Sequence, residues 1–228
     1  MLTSAESQAL ILSLEVSLAG VLGALPIALL FGILLARWRS ATRAVAEGFL
    51  SLPLVLPPVV VGYLLLITFG SREPLGGWLL AHLGLRLAFT WKGAALACGL
   101  ITFPFQLRAI RLSLEGIDGR LLEAAETLGA RAFDRFLNVT LPLALPGIIS
   151  GAITAFSAAL GEFGAIITFV SNIPGETQTL PLAIYSAIQQ PGGEVEAAKL
   201  SGLSILLALA GIMFAQSADR RARALLHT

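Results

Sequence analysis

The sequence predicts an all-α integral membrane protein with about five transmembrane helices, and three observations support this prediction. First, 56% of the 228 residues are hydrophobic and only 13% are charged, whereas a soluble domain carries about 25% charged residues. Second, five segments are apolar over the roughly 20 residues that a helix needs to cross a bilayer. Third, the basic residues are concentrated on one side of these segments. We therefore expect one membrane-embedded domain that occupies residues 1–228.

Each predicted span is a stretch with few or no charged residues. The spans cover about residues 12–37, 46–70, 87–111, 137–161 and 198–218. The third span contains Lys92, whose long side chain can reach the membrane interface beside Trp91. No basic residue precedes Arg37, so we interpret the first segment as a retained span and not as a cleaved signal peptide.

Basic residues predict how the chain is oriented in the membrane. Cytoplasmic loops of membrane proteins carry an excess of Lys and Arg. Most of the 15 Lys and Arg residues fall into three regions that five spans would place on one side. They are Arg37, Arg39 and Arg43, then Arg108, Arg111, Arg120, Arg131 and Arg135, and finally Arg220, Arg221 and Arg223. This distribution predicts an external N-terminus and a cytoplasmic C-terminus.

The connection between the third and fourth spans, about residues 112–136, is predicted to be cytoplasmic and to contain a short helix. Asp118 can cap the first turn of this helix, and Gly129 suits the left-handed conformation that ends a helix. Apolar residues recur at helical spacing between them, at Leu121, Ala125 and Leu128. An apolar ridge facing water indicates a binding surface for a partner. The alternative is that the ridge packs on the protein's own spans.

The external connection between the fourth and fifth spans is unusually apolar. Its first stretch, Phe163–Val170, is too short to span a bilayer, and the turn Asn172–Gly175 follows it. A second stretch, Thr179–Ile188, is predicted to be a short helix that ends before the break at Pro191–Gly193. Such segments often re-enter the membrane or cap the mouth of a pore. A plain surface loop is the alternative.

The cytoplasmic connection also carries a motif. Glu123-Ala124-Ala125 is followed at fixed spacing by Gly129 and by Leu141-Pro142. This string resembles the EAA motif of ABC-importer permeases, although Val139 stands where the family usually has Ile. The resemblance implies that the helix from about Asp118 to Gly129 is a coupling helix, which docks into a groove of an ATPase subunit. The residues to which this role is assigned are Leu121, Glu123, Ala124, Ala125, Leu128, Gly129 and Pro142.

Four longer stretches resemble the molybdate permeases and their sulfate and thiosulfate relatives. They are Leu52–Leu66, Arg108–Asp118, Gly161–Pro181 and Ala183–Glu194, and the resemblance extends over nearly the whole chain. It implies the type I ABC importer permease architecture and inward transport of molybdate, with sulfate, thiosulfate or tungstate as alternative substrates. It also implies a multi-pass protein of the bacterial cytoplasmic (inner) membrane.

The resemblance further implies a set of partners. These are a second copy in a homodimer, two ATP-binding cassette subunits, an extracytoplasmic molybdate-binding protein and the lipid bilayer, without nucleic acid. The sequence has no G-x-x-x-x-G-K-[ST] string, so we expect a separate subunit to use the ATP. We expect no catalytic residue, metal or cofactor, because His82 and His227 are isolated and no nucleophile–base set is apparent. A channel or a secondary transporter is the alternative class of protein.

Proline residues indicate where the second span is interrupted. Pro53, Pro57 and Pro58 remove backbone donors, and a broken helix within a membrane must face protein or a water-filled path. We therefore expect residues 56–62, including Gly62, to line the translocation pathway. A structural kink that faces a neighbouring helix is the alternative.

A carboxylate at the end of the fourth span marks a second candidate region. Glu162 lies between Gly161 and Phe163, at a depth where a charge is normally functional or paired. Because the expected substrate is an anion, we predict a structural or gating role in which Glu162 accepts hydrogen bonds around Gly164. An interfacial charge that simply reaches water is the alternative. Asn172 completes the predicted pathway and gate residues.

The predicted spans contain no Arg or Lys deep in the bilayer core. A tight anion site there would need positive charge or converging N–H groups, so we expect a weak conduit supplied by a separate binding protein.

In the fourth span, Gly147 and Gly151 form a small-residue face that favours close helix packing. We expect this packing to be intramolecular, with packing against a second protomer as the alternative.

Overall fold

The computed structural model describes residues 3–38 and 40–226, without the side chains of residues 212, 214–216 and 218–226. All regular secondary structure in this part of the chain is helical. The helices are α1 (Ser4–Arg37), α2 (Thr42–Leu50), α3 (Leu52–Val55), α4 (Pro58–Phe69), α5 (Pro74–Leu83), α6 (Trp91–Glu115), α7 (Gly119–Thr127), α8 (Ala132–Arg135), a π-helical turn (Phe136–Thr140), α9 (Leu141–Leu160), α10 (Gly164–Val170), α11 (Leu180–Ile188) and α12 (Glu194–Leu226). Arg39 and the side chains of Arg220, Arg221 and Arg223 lie outside the described part.

Helix α6 forms the centre of the molecule, with α1 and α9 packed against it. Glycines allow these close approaches. A β-carbon on Gly147 would lie 2.3 Å from the β-carbon of Ser113, and one on Gly151 would lie 2.9 Å from the β-carbon of Ala109. Both contacts join α9 to α6. The prediction of intramolecular packing by this small-residue face is therefore confirmed.

Three continuous helical stretches are long and apolar enough to cross a membrane, namely Ser4–Arg37, Trp91–Glu115 and Ala132–Leu160. Two of them begin away from the predicted span limits because side chains cap them. Thr3 and Glu6 form a reciprocal capping box that starts α1 early, and the Thr90 hydroxyl accepts the Gly93 N–H at the start of α6. The total of five spans remains a prediction.

The second predicted span, residues 46–70, is not one helix. The chain instead forms α2, α3 and α4, with a break at Leu56 and Pro57. Both break residues have extended backbone, with ψ of 140° and 133°, because a residue that precedes proline is excluded from the α conformation. The predicted interruption is confirmed, and the range 46–70 as one membrane crossing remains a prediction.

The connection after the fourth predicted span folds into α10 and α11, and α11 corresponds to the short helix predicted for Thr179–Ile188. Helix α10 packs between α4 and α6, and Ala165, Ile166, Phe169 and Val170 are buried. A plain surface loop is therefore wrong for this stretch. The fifth predicted span, about residues 198–218, lies within the longer helix α12.

Ion pairs join α2 to the end of α6. Arg43 pairs with Glu47 and with Glu115, and Arg111 pairs with Glu47. The ends of α1 and α6 consequently lie at the same end of the molecule. Because this end also carries α7 and α8, the described Arg37 and Arg43 lie at the same end as Arg111, Arg120, Arg131 and Arg135, while the side of the membrane on which they lie remains a prediction.

Candidate coupling surface and pathway

The projecting helix α7 begins and ends as the sequence predicts. Asp118 precedes it, and its carboxylate accepts the Arg120 N–H at 2.9 Å. Gly129 follows it with a φ of +84°, a conformation that glycine adopts without the steric cost of a β-carbon. Both predicted end signals are confirmed. They make α7 a short, sharply bounded helix between α6 and α8.

The apolar ridge of α7 and α8 is exposed. Leu121 is 49% exposed, Leu128 is 87% exposed and Phe133 of α8 is 69% exposed. Packing of the whole ridge on the protein's own spans is therefore wrong, although Ala125 is partly covered. Glu123, Ala124 and Gly129 are also exposed. This exposed surface, formed by α7, Leu128, Gly129 and α8, is called the coupling surface below.

An ion pair and a π-helical turn connect the coupling surface to the membrane-spanning part of the protein. The Arg135 guanidinium of α8 pairs with the Glu126 carboxylate of α7. The π-helical turn follows, and the N–H of Leu141 bonds to the carbonyl of Phe136, five residues earlier. Pro142 then lies in the first turn of α9, directly after the π-helical turn. Pro142 is exposed but belongs to α9 and not to the projection.

The helical path is broken at residues 56–57, before α4, and at residues 161–163, between α9 and α10. These two breaks lie next to each other in space. A β-carbon on Gly164, at the start of α10, would lie 2.9 Å from the β-carbon of Pro58, at the start of α4. A β-carbon on Gly62 would lie 2.7 Å from the Ala165 carbonyl oxygen. Helices α4 and α10 therefore pack side by side from their first turns. The structure thus brings together the predicted pathway residues Pro58, Gly62 and Gly164, with Pro57 at the adjoining break.

Helix α4 has two different faces at this contact. Val61, Gly62 and Leu65 are buried against the rest of the chain, so the alternative of a kink facing a neighbouring helix holds for this side. Val59 and Tyr63 are 54% and 55% exposed on the other side. The exposed side is the part of α4 that is available to line a pathway.

Glu162 lies in the joint between α9 and α10. It is only 8% exposed, and its carboxylate accepts the N–H of Ala165 at 2.8 Å. The predicted hydrogen bond next to Gly164 is confirmed, and the alternative of a charge that reaches water is wrong. Gly161 ends α9. Phe163 immediately precedes α10, and its ring centre lies 5.1 Å from that of Tyr185 in α11.

Asn172 lies at the other end of α10, so the structure does not place it beside the break. Its amide nitrogen donates to the hydroxyl of Ser186 in α11 at 2.7 Å. Its buried amide oxygen has no hydrogen-bond partner among the described residues. The residue fastens the loop between α10 and α11, a position different from that of the other predicted gate residues.

Two polar features were not predicted. Gln106 of α6 is fully buried, and its amide nitrogen donates to the Val21 carbonyl of α1 at 3.2 Å. A glutamine within an apolar span is itself a signal that could have identified it. The other feature is the ion pair of Glu6 with Lys199, at 2.7 Å. Residues so far apart in sequence carry no local signal of pairing.

The described residues contain no group of three or more His, Cys, Asp or Glu side chains that could hold a metal ion. An apolar helical body, two adjoining helix breaks and an exposed apolar projection are the features that the predicted membrane transport permease requires. The family model for "binding-protein-dependent transport system inner membrane component" matches residues 28–225. The chain belongs to this family and is a multi-pass membrane protein.

Individual relatives extend the similarity over nearly the whole chain. The molybdenum transport system permease protein ModB of Escherichia coli (strain K12) is 51% identical over 222 residues, which are 97% of each chain. The ModB protein of Haemophilus influenzae is 48% identical and covers 95% of this chain and 94% of its own. The sulfate transport system permease protein CysT of E. coli is 34% identical over 78% of this chain and 66% of its own.

Solved structures of low sequence identity show the same fold. A bacterial ABC transporter that imports alginate matches with a TM-score of 0.76 and 18% identity over 96% of this chain and 80% of that one. A bacterial alginate ABC transporter in complex with an alginate pentasaccharide-bound periplasmic protein gives a TM-score of 0.74 and 19% identity, with the same coverage. The MetNI methionine transporter in an inward-facing conformation gives 0.66 and 17%, over 98% and 99% of the chains. The chain therefore has the fold of ABC importer permeases.

Proposed function

We propose that the chain is the membrane-spanning subunit of an ATP-driven importer that carries molybdate into the cell. The observation that carries this proposal is the 51% identity to a molybdenum transport permease over 97% of both chains. Similarity of this extent includes the helix breaks as well as the coupling surface. The fold of ABC importer permeases supports the transporter class independently of the substrate.

The coupling surface supports the proposal that ATP-binding cassette subunits dock on α7. Leu121 and Leu128 are exposed although they are apolar, and an apolar ridge in water is typical of a partner-binding surface. The energy for transport then comes from ATP hydrolysed by these subunits. In this proposal the chain itself is not an enzyme and binds no cofactor.

A second copy of the chain is proposed to cover the break between α3 and α4. Pro57 and Pro58 have no N–H, so the carbonyl groups four residues earlier, those of Pro53 and Leu54, lose their usual helical donors. Lipid cannot satisfy such groups, and Pro57 and Pro58 are exposed in the single chain. A homodimer with the pathway between its copies would place protein or water there, and two copies would carry two ATPase subunits.

The remaining assignments follow from the same assembly. We propose that the end with α7 is cytoplasmic, that the N-terminus is external and that the membrane is the bacterial inner membrane. An extracytoplasmic binding protein is proposed to deliver the oxyanion. The family description names binding-protein-dependent transport, and an alginate importer of the same fold has been solved with its periplasmic protein.

The test is ATP hydrolysis and uptake by the complex reconstituted in proteoliposomes. Binding protein loaded with molybdate is expected to stimulate hydrolysis and to drive molybdate accumulation, whereas a complex without ATP accumulates none. Anion flux through the chain alone, without ATPase subunits, would show a channel or a secondary transporter instead.

Sulfate is the second candidate substrate, because the sulfate permease of E. coli is 34% identical over 78% of the chain. Competition distinguishes the two anions. If the proposal is right, excess molybdate or tungstate suppresses uptake of labelled molybdate, while excess sulfate has little effect. Equal or stronger suppression by sulfate would assign the chain to the sulfate branch.

A further inference from the structure

Helices α4 and α10 form one packed pair, although they lie far apart in the sequence. Each follows a non-helical joint, at residues 56–57 for α4 and at residues 161–163 for α10. Glycine contacts near both joints hold the two helices at backbone distance. A displacement of the first turn of α10 towards α4 must displace the first turn of α4, because the contact of Gly164 with Pro58 leaves no room even for a β-carbon.

The Glu162 carboxylate is the polar group that holds the first turn of α10. It is buried in the joint and accepts the N–H of Ala165, one of the N–H groups that lack a partner within the helix. No Lys, Arg or His side chain lies within 4.0 Å of it among the residues that the structure describes. The carboxylate therefore acts on the backbone of α10 and not as one half of an ion pair.

We propose that Glu162 is a positioning residue for transport, which holds the start of α10 and thereby sets the position of the α4 turn beside the helix break. This inference rests on the proposed function, since it takes the exposed side of α4 as the pathway lining. Glu162 does not contact the transported anion in this arrangement. Its effect on transport passes through the contact of Gly164 with Pro58.

The proposed role of Glu162 requires a side-chain oxygen that accepts the Ala165 N–H. Substitutions at Glu162 distinguish this requirement from the effect of side-chain volume. Glu162→Gln keeps a side-chain oxygen that can accept the Ala165 N–H, although a neutral acceptor is weaker than a carboxylate. Glu162→Ala removes the acceptor. We expect molybdate uptake to fall roughly tenfold in Glu162→Ala, in line with the loss of a helix cap, and to be largely rescued in Glu162→Gln. Glu196→Ala, at an exposed site on α12, is the matched control and should transport normally.

A labelling experiment reports the position of α4 directly. Val60→Cys places a thiol on the exposed side of α4, whereas the native Cys98 is fully buried. In the reconstituted complex we expect the rate of modification by a water-soluble maleimide to change between the resting state and the state trapped with ATP and vanadate. Glu162→Ala should reduce this change, and Glu162→Gln should restore it.

A second route to the same displacement leaves the carboxylate in place. Gly164→Ala adds a β-carbon 2.9 Å from Pro58 and should also reduce the labelling change, whereas Gly23→Ala has open space and should not. Gly164→Ala therefore tests the inference even if Glu162→Ala does not fold.

Two results would refute the inference, and they have different meanings. A normal labelling change in both Glu162→Ala and Gly164→Ala would overturn the role of Glu162 alone. The absence of any ATP-dependent change at Val60→Cys in the otherwise unchanged complex would overturn the pathway assignment, and the inference with it.

Discussion

Glycine residues permit close approach between helix backbones in this protein. A β-carbon on Gly20 would lie 2.4 Å from the Ala95 carbonyl oxygen and 2.9 Å from the Gly99 nitrogen. Both atoms belong to the backbone of α6, which cannot move aside as a flexible side chain can. Gly23, one turn later on α1, has no atom within 4 Å of the corresponding position. The close packing of α1 on α6 therefore requires glycine at position 20 but leaves space for a larger residue at position 23.

We predict that Gly20→Ala destabilises the protein and that Gly23→Ala does not. Overpacking against a backbone costs about 1–3 kcal/mol, whereas alanine in an open helical position is favoured over glycine by about 0.5–1 kcal/mol. The measurement is the melting temperature of the purified chain in detergent, which should fall by several degrees for Gly20→Ala alone. Equal melting temperatures for the two variants would mean that α1 and α6 are not packed as described.

At the scale of the element, α7 is a helix without a buried residue of its own. Helices this short are marginal in isolation, so its cap at Asp118, the turn at Gly129 and the ion pair of Glu126 with Arg135 hold it in place. The apolar side chains along it are then free to bind another protein. This explains why the helical spacing of apolar residues, which usually indicates burial, is found here on an exposed surface.

We predict that Leu128→Asp uncouples the transporter without unfolding it. Because Leu128 is 87% exposed, an aspartate there should change the stability of the chain by less than about 0.5 kcal/mol. It should nevertheless abolish both co-purification with the ATPase subunit and ATP-driven uptake.

Leu128→Met is the matched control, because methionine keeps the volume and the apolar character of the site. Membrane insertion and melting temperature should be unchanged in both variants, while only the methionine variant retains uptake. Normal uptake by Leu128→Asp would remove Leu128 from the coupling surface.

At the scale of the whole molecule, α1 connects elements from both halves of the chain. Near its start, both carboxylate oxygens of Glu6 accept hydrogen bonds from Lys199 of α12, at 2.8 Å and 2.7 Å. Further along, the Ser13 hydroxyl accepts the N–H of Leu180, the first residue of α11. At its other end, the ion pairs of Arg43 join the following helix to α6. Polar contacts near the start of α1 and just beyond its end therefore link it and the following helix to α6, α11 and α12.

We predict that Lys199→Met lowers the melting temperature in detergent and that adding Glu6→Gln recovers part of the loss. The single variant leaves the Glu6 carboxylate without this ammonium partner, and removing one member of a pair is worse than replacing both. The two single variants and the double variant form a thermodynamic cycle. If the double variant is as unstable as Lys199→Met or less stable, Glu6 and Lys199 do not interact in the way described.

The parts of the fold that sequence reasoning predicted have local causes. Asp118 and Gly129 bound α7 through their own backbone and side-chain chemistry, and Pro57 and Pro58 interrupt the second span for the same reason. The interruption was predicted from these prolines although no residue from Phe49 to Gly70 is charged. The capping box of Thr3 and Glu6 was missed, since it extends α1 beyond the apolar segment from which the span was delimited.

The parts that could not be predicted depend on which surfaces meet. Nothing in the stretch Phe163–Val170 states that α10 packs on α4, or that Gly164 abuts Pro58. Periodicity left open whether the ridge of Leu121 and Leu128 was buried or exposed, because a core-facing helix and a docking helix show the same pattern. The positions of Asn172 and Glu162 at opposite ends of α10 were likewise decided by packing.

The sequence by itself determined that the chain is a helical membrane protein, where α7 begins and ends, where the second span breaks, and to which family the protein is similar. Each of these depends on composition or on interactions within a few residues. Only the tertiary structure decided that the two breaks coincide, that the Glu162 carboxylate is buried at their junction and that the coupling surface is free. These depend on contacts between residues far apart in the chain, which form only when the helices are packed together.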